Sequence, residues 1–182
     1  MEVEAVVYLI MASPHMLYAY VWTSPVLYQR FCSLCNRVLG KSWNAVEWFE
    51  WTAHVIKIVQ TVTFITWYFT CGSLPALDQW VSFKSVFGIA LLAFGQYLNV
   101  LVYKLLGRDG VYYGSRLGRP VAWVTGFPFN SIPHPQYVGA SVTFVGLCTL
   151  LSTPSHVQNG LWWICTFICL CYGMSSLIEQ HL

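Results

Sequence analysis

PVAWVTGFPFNSIPHPQYVGASVTFVGLCTLLSTPSHVQNGLWWICTFICLCYGMSSLI occupies residues 120–178, and none of its 59 residues is Lys, Arg, Asp or Glu. An uncharged run that long exceeds what a soluble core holds and places the chain in a bilayer. Its opening is not apolar helix. Gly126, Pro128, Asn130, Ser131, Pro133, His134, Pro135 and Gln136 crowd together there. Irregular polar backbone at membrane depth is tolerated only where protein or a water-filled cavity covers it, so the segment points to a site. Residues 137–151 are then apolar, 152–160 form a polar turn with Pro154 and His156, and 161–178 are apolar again. This pattern predicts a helical hairpin. Its first arm reaches about 25 Å at the helical rise per residue, which leaves a thin crossing and a re-entrant arm both open.

Upstream lie three more uncharged runs, 5–29, 58–77 and 85–103. Each suits the roughly 20 residues of a crossing. The expected fold is therefore an all-α integral membrane protein, with three transmembrane helices plus a C-terminal helical hairpin. One domain is expected over 1–182, with helices about 4–28, 44–72, 80–106, 137–152 and 160–178 and a loop at 107–136. Composition agrees: 9% of residues are charged, against roughly 25% in soluble domains. The net charge of +2 comes without a basic tract, so no nucleic-acid partner is expected. Glu2 and Glu4 stand where a signal peptide would be basic, and the first segment reads as a retained helix.

Lys and Arg set the expected orientation. Arg30, Arg37 and Lys41 follow the first helix, and Lys104, Arg108, Arg116 and Arg119 follow the third. The intervening loop has only Asp78 and Lys84. The positive-inside bias then puts the first and third polar segments in the cytosol. The hairpin leaves from that face and returns to it, so Glu179 should come back beside the Pro133-His134-Pro135 loop.

Several residues are candidates for chemistry. Gln96, Asn99 and Tyr103 fall at i, i+3 and i+7, one polar stripe beside Gly95. The stripe suits either interhelical hydrogen bonds or a ligand. Residues 107–136 make a long, aromatic-rich loop with five glycines, among them Gly114, and such loops are usually functional. His134 is held between two prolines just ahead of a helix. A carboxylate at Glu179 is opposed by the dipole of its own helix and needs compensation. Cys32 and Cys35 form a C-x-x-C, a weak redox signal when alone. No di-carboxylate, zincin or phosphate-loop pattern is present, so no metal is expected.

Ala93-Phe94-Gly95-Gln96-Tyr97-Leu98-Asn99, Tyr103-Lys104-Leu105-Leu106-Gly107, Val111-Tyr112-Tyr113-Gly114, Val124-Thr125-Gly126-Phe127-Pro128-Phe129 and Pro135-Gln136-Tyr137-Val138-Gly139 together resemble the phospholipid N-methyltransferases, the plant-type branch most of all. The resemblance covers about residues 88–150. It implies S-adenosylmethionine-dependent methylation of phosphatidyl-N-methylethanolamine, and of its dimethyl form, to phosphatidylcholine. It also implies a multi-pass protein of the endoplasmic reticulum membrane, with its active site facing the cytosol and a fold resembling the isoprenylcysteine methyltransferases. By that resemblance Gly95, Gln96, Asn99, Gly114, His134, Pro135, Tyr137, Gly139 and Glu179 would hold the methyl donor. Glu179 and His134 are the candidate bases, and Tyr113 and Phe127 would contact the lipid substrate. The resemblance leaves rivals open: an isoprenylcysteine carboxyl methyltransferase, a non-catalytic membrane scaffold, or a thiol-redox protein using Cys32 and Cys35.

Overall fold

The computed structural model describes residues 2–181, with side chains from Ala5 onward. The Glu2 and Glu4 side chains, on which the retained-helix reading rests, lie outside the described ones. Among the described residues the regular structure is entirely helical. The helices are α1 (Glu2–Thr23), α2 (Pro25–Leu39), α3 (Ala45–Cys71), α4 (Phe83–Val111), α5 (Pro135–Leu151), α6 (Pro154–Gln158) and α7 (Leu161–His181), with a 3-10 turn at Leu77–Trp80.

The first expected helix, 4–28, divides in two. Ser24 leaves helical geometry (φ −134°, ψ 53°) and Pro25 opens α2 at its first turn. Proline disfavours helix at the residue before it and lacks the N–H a continuing helix would use, so the break falls there. Pro14, by contrast, stays inside α1. It cannot donate to the Ile10 carbonyl, and the Ser13 hydroxyl does so instead at 2.7 Å. The segment expected as a polar connection is the amphipathic helix α2. Tyr28 and Cys32 face the protein, while Val26, Leu27, Phe31, Leu34 and Val38 face outward. Gly40 closes α2 in the left-handed conformation (φ 60°). Asn44 and Glu47 cap α3 reciprocally, and Asn36 ties α2 to α3 through the Trp43 carbonyl and the Trp48 indole.

Among the described residues three helices are long and apolar enough to cross a membrane: α1 over Ala5–Thr23, α4 and α7. The sequence expectation counted α3 as the second single crossing and α7 as the returning arm of the hairpin. α3 has the length, at 27 residues, but Glu47, Glu50 and Lys57 occupy its first half. α5 is shorter, at 17 residues.

α4 and α5 make the closest helix pair. Gly88 and Gly95 on α4 face Gly146 and Gly139 on α5. A Cβ on Gly95 would stand 2.5 Å from the Gly139 carbonyl oxygen, and one on Gly146 would stand 2.8 Å from that of Gly88. Both glycine pairs are seven residues apart, two helical turns, so they repeat on one face of each helix. Without side chains between them the backbones touch, which is how membrane helices gain dispersion energy.

The hairpin turn is secured by His156, which is fully buried. Its ring stacks on Tyr68 at 3.8 Å. Nε2 donates to the Tyr68 carbonyl at 2.9 Å, and Nδ1 accepts from the Thr153 hydroxyl at 2.6 Å. His156→Ala is expected to cost about 3 kcal/mol by loss of the packed ring and both bonds. Denaturation in detergent measures it; an unchanged midpoint would mean that the turn does not depend on this ring.

Candidate active site

Glu179 lies in the last turn of α7. Its Oε1 accepts hydrogen bonds from the hydroxyls of Tyr113 and Tyr137, whose oxygens are 2.8 Å apart. Its Oε2 faces His134 Nδ1 at 3.5 Å, with the two side chains only 15% and 22% exposed. The Gln180 amide nitrogen donates to His134 Nε2 at 3.0 Å. That ring nitrogen is therefore an acceptor, and the imidazole hydrogen sits on Nδ1, facing the carboxylate. The dipole penalty on Glu179 is thus offset by two phenols and an imidazole of the same chain.

Among the described residues, Tyr113 (φ 55°) and His134 (φ 46°) are the non-glycine residues with positive φ. A left-handed conformation at such residues costs on the order of 1–3 kcal/mol and persists only where surrounding structure imposes it. For His134 the following Pro135 disfavours the right-handed helical region and starts α5 directly after it. For Tyr113 the ring is wedged against Tyr18, Trp22 and Phe49, at centroid distances of 5.4, 5.0 and 5.4 Å. Gly114 makes the turn possible, because a Cβ there would meet the Asp109 carbonyl oxygen at 2.5 Å. Burial, reinforced by Tyr137 and Glu179, pushes the Tyr113 phenol well above the usual range. It remains a proton donor to the carboxylate.

A cavity of about 520 Å³ lies between α1, α3, α4, α5 and α7. Tyr137 is the member of the carboxylate cluster on its wall; Glu179, His134 and Tyr113 stand behind it. The amides of Gln96, Asn99 and Gln136 and the rings of Tyr103 and Tyr112 also line it. α3 and α4 are not among the closely packed helix pairs, and the lining residues His54, Lys57 and Thr61 on α3 and Gln96 and Tyr103 on α4 are exposed, so the cavity is open along that side.

The residues singled out from sequence therefore fall into three groups. His134, Tyr137, Glu179 and Tyr113 meet in one cluster, with Pro135 buried beneath it. Gln96 and Asn99 line the cavity, and Gln96 also donates to the Thr143 hydroxyl at 3.0 Å, one of the interhelical hydrogen bonds the stripe suited. Gly95 and Gly139 stand at the α4–α5 contact, Gly114 underlies its turn, and Phe127 is 45% exposed on the surface loop away from the cavity wall. The sequence reading did not assign Gln180 its contact with His134. It also missed Tyr172 and Ser175, which fall with Glu179 at i, i+3 and i+7 of α7, a spacing that could have revealed them. Cys32 is buried, and burial raises its thiol's pKa, the reverse of what a reactive redox thiol needs.

The family model described as "Phospholipid methyltransferase" matches residues 83–181, the span that carries the whole carboxylate cluster. The chain is 36% identical over 135 residues to the phosphatidyl-N-methylethanolamine N-methyltransferase of Arabidopsis thaliana, covering 72% of this chain and 70% of that one. It is 34% identical over 87 residues to the Saccharomyces cerevisiae protein of the same name, covering 47% and 40%. It is 23% identical over 146 residues to the phosphatidylethanolamine N-methyltransferase of Homo sapiens, covering 80% and 70%. No solved structure matches it significantly. With a matched region that spans more than half of its length and contains every residue of the cluster around Glu179, the chain belongs to the phospholipid methyltransferase family.

Proposed function

We propose that the chain methylates phosphatidyl-N-methylethanolamine, and then its dimethyl form, to phosphatidylcholine, with S-adenosylmethionine as donor. The observation that carries the reading is the carboxylate of Glu179 held by Tyr113, Tyr137 and His134 at one end of a cavity that opens toward lipid. The cavity wall suits such a donor. Gln96, Asn99 and Gln136 offer amide donors and acceptors, and the faces of Tyr103, Tyr112 and Tyr137 suit an aromatic ring or a sulfonium. When bound, the donor supplies an already activated methyl group.

The protein's own work is positioning and proton removal. The lipid amine is protonated in water and must become neutral to act as a nucleophile. Tyr137 is the group on the cavity wall that hydrogen-bonds to Glu179. It takes the amine proton at its hydroxyl oxygen while passing its own proton to Glu179 Oε1. Tyr113 holds the carboxylate in place, and the Nδ1–H of His134 faces the other oxygen. The aromatic walls favour the ammonium that forms as methyl groups accumulate. We place this cluster on the cytosolic face, on the strength of the Lys and Arg distribution, and the protein in the endoplasmic reticulum membrane, as the family resemblance implies.

The test is transfer of labelled methyl from S-adenosylmethionine in membranes given un-, mono- or dimethylated phosphatidylethanolamine. Label in the di- and trimethylated lipids is expected. Label on a prenylcysteine analogue instead of the lipids would overturn the reading.

A further inference from the structure

Among the described residues lining the cavity, Lys57 carries the only formal charge, and no carboxylate is among them. It lies on α3, outside the region matched by the family model. Its Nζ donates to the Tyr172 hydroxyl at 3.3 Å. One of its three hydrogens is so used, and the Tyr172 hydroxyl keeps its own hydrogen to donate. Around them, His15 Nδ1 lies 3.0 Å from the Ser175 hydroxyl, and the His15 ring meets Tyr172 edge-on at 4.5 Å. Among the described residues no ion pair joins Lys57 to a carboxylate. An ammonium in a membrane-facing cavity without a counter-charge calls for an anionic ligand.

Depth identifies the anion. Tyr172 lies two turns before Glu179 on α7, and Lys57 lies two turns beyond Glu50 on α3. Each interval is about 10 Å along its helix axis. Glu50 pairs with Arg108 at 3.7 Å near the membrane face where α7 ends. Lys57 therefore sits deeper than the carboxylate cluster. Deeper still, Met11, Phe64, Phe144, Leu147 and Ile168 make the cavity wall apolar. From the Glu179 end inward the order is hydroxyl backed by carboxylate, then cation, then hydrocarbon. A phospholipid of the adjacent leaflet presents amine, phosphate and acyl chains in that same order.

We propose that Lys57, with the Tyr172 hydroxyl, binds the phosphodiester of the acceptor lipid and sets how far its amine stands from Tyr137. The inference rests on the proposed function, which supplies the lipid; it adds the anchor for its phosphate. Lys57 is a substrate-positioning residue and takes no part in proton transfer. The methyl donor has an anion too, its amino-acid carboxylate, so the experiment must separate the two.

The variants are Lys57→Met, of similar length and uncharged, and Lys57→Arg, which keeps the charge. In nanodiscs, binding of phosphatidyl-N-methylethanolamine is followed by quenching of the protein's tryptophans. It is compared with binding of an analogue whose phosphodiester is replaced by a neutral linker. The wild type is expected to prefer the natural lipid by about tenfold or more, as a charge-assisted contact implies. Lys57→Met should lose that preference and Lys57→Arg should keep most of it. In the transfer assay, KM for the lipid should rise in Lys57→Met by a similar factor while KM for the donor stays unchanged. Equal binding preference in wild type and Lys57→Met would overturn the proposal, and so would a rise in donor KM instead of lipid KM. If no lipid accepts methyl but the binding preference vanishes in Lys57→Met, the proposed function fails while the phosphate site stands. A matching thermal midpoint for both variants separates lost binding from lost folding.

Discussion

Glu179→Gln is expected to lower kcat for methyl transfer by about 10³-fold, within the range a positioned acid–base group contributes. The substitution keeps the shape of the side chain and one oxygen that can accept from Tyr113 or Tyr137. It removes the proton acceptor, so the amine in the cavity stays charged. Folding should survive, because the aromatic wedge of Tyr18, Trp22 and Phe49 around Tyr113 is untouched. Tyr137→Phe should lose a comparable share, since its hydroxyl stands between the cavity and the carboxylate. Tyr113→Phe should lose only about tenfold, the scale of one hydrogen bond to a charged group. Stopped assays at saturating donor and lipid measure these differences. Wild-type turnover in Glu179→Gln would remove the carboxylate from the reaction.

Gly95→Leu is expected to destabilise the bundle by about 3 kcal/mol or more and to abolish activity. Even the first carbon added at Gly95 would sit 2.5 Å from the Gly139 carbonyl oxygen and from the Thr143 hydroxyl. Backbone cannot yield there as a flexible side chain could. α4 would have to move off α5, and Tyr137, on the first turn of α5, would move with it. Gly88→Ala should be milder, because its nearest neighbours stand at 3.0–3.2 Å. The resemblance assigns Gly95 to the donor, and loss of activity alone cannot separate that role from packing. Thermal unfolding can: a donor contact predicts an unchanged midpoint in Gly95→Ala, and the α4–α5 contact predicts a lowered one.

The helical class was legible because uncharged runs of membrane length leave little alternative. The meeting of Glu179 with His134 was legible from connectivity, since an apolar hairpin has to return its end to the face it left. Other features depend on three-dimensional detail. The break at Ser24 needed the knowledge that Pro25 would start a helix instead of bending one. Gly95 and Gly139 carry no sign of whether they touch a ligand or each other. Lys57 has no local pattern that marks a role, and only its contact with Tyr172, a residue 115 positions away, gives it a direction. The phenols around Glu179 come from two segments with unrelated local patterns and converge through a turn at Tyr113 that its own residue type disfavours.

The outward side of α2, with Val26, Leu27, Phe31, Leu34 and Val38, acts as a float at the waterline of the bilayer. Asn36 moors that float to α3, so the whole bundle rides at one fixed draught. A thicker or thinner bilayer then displaces the far leaflet, while Tyr137 keeps its height against the headgroups of the near one, so the float shields the site from changes in thickness.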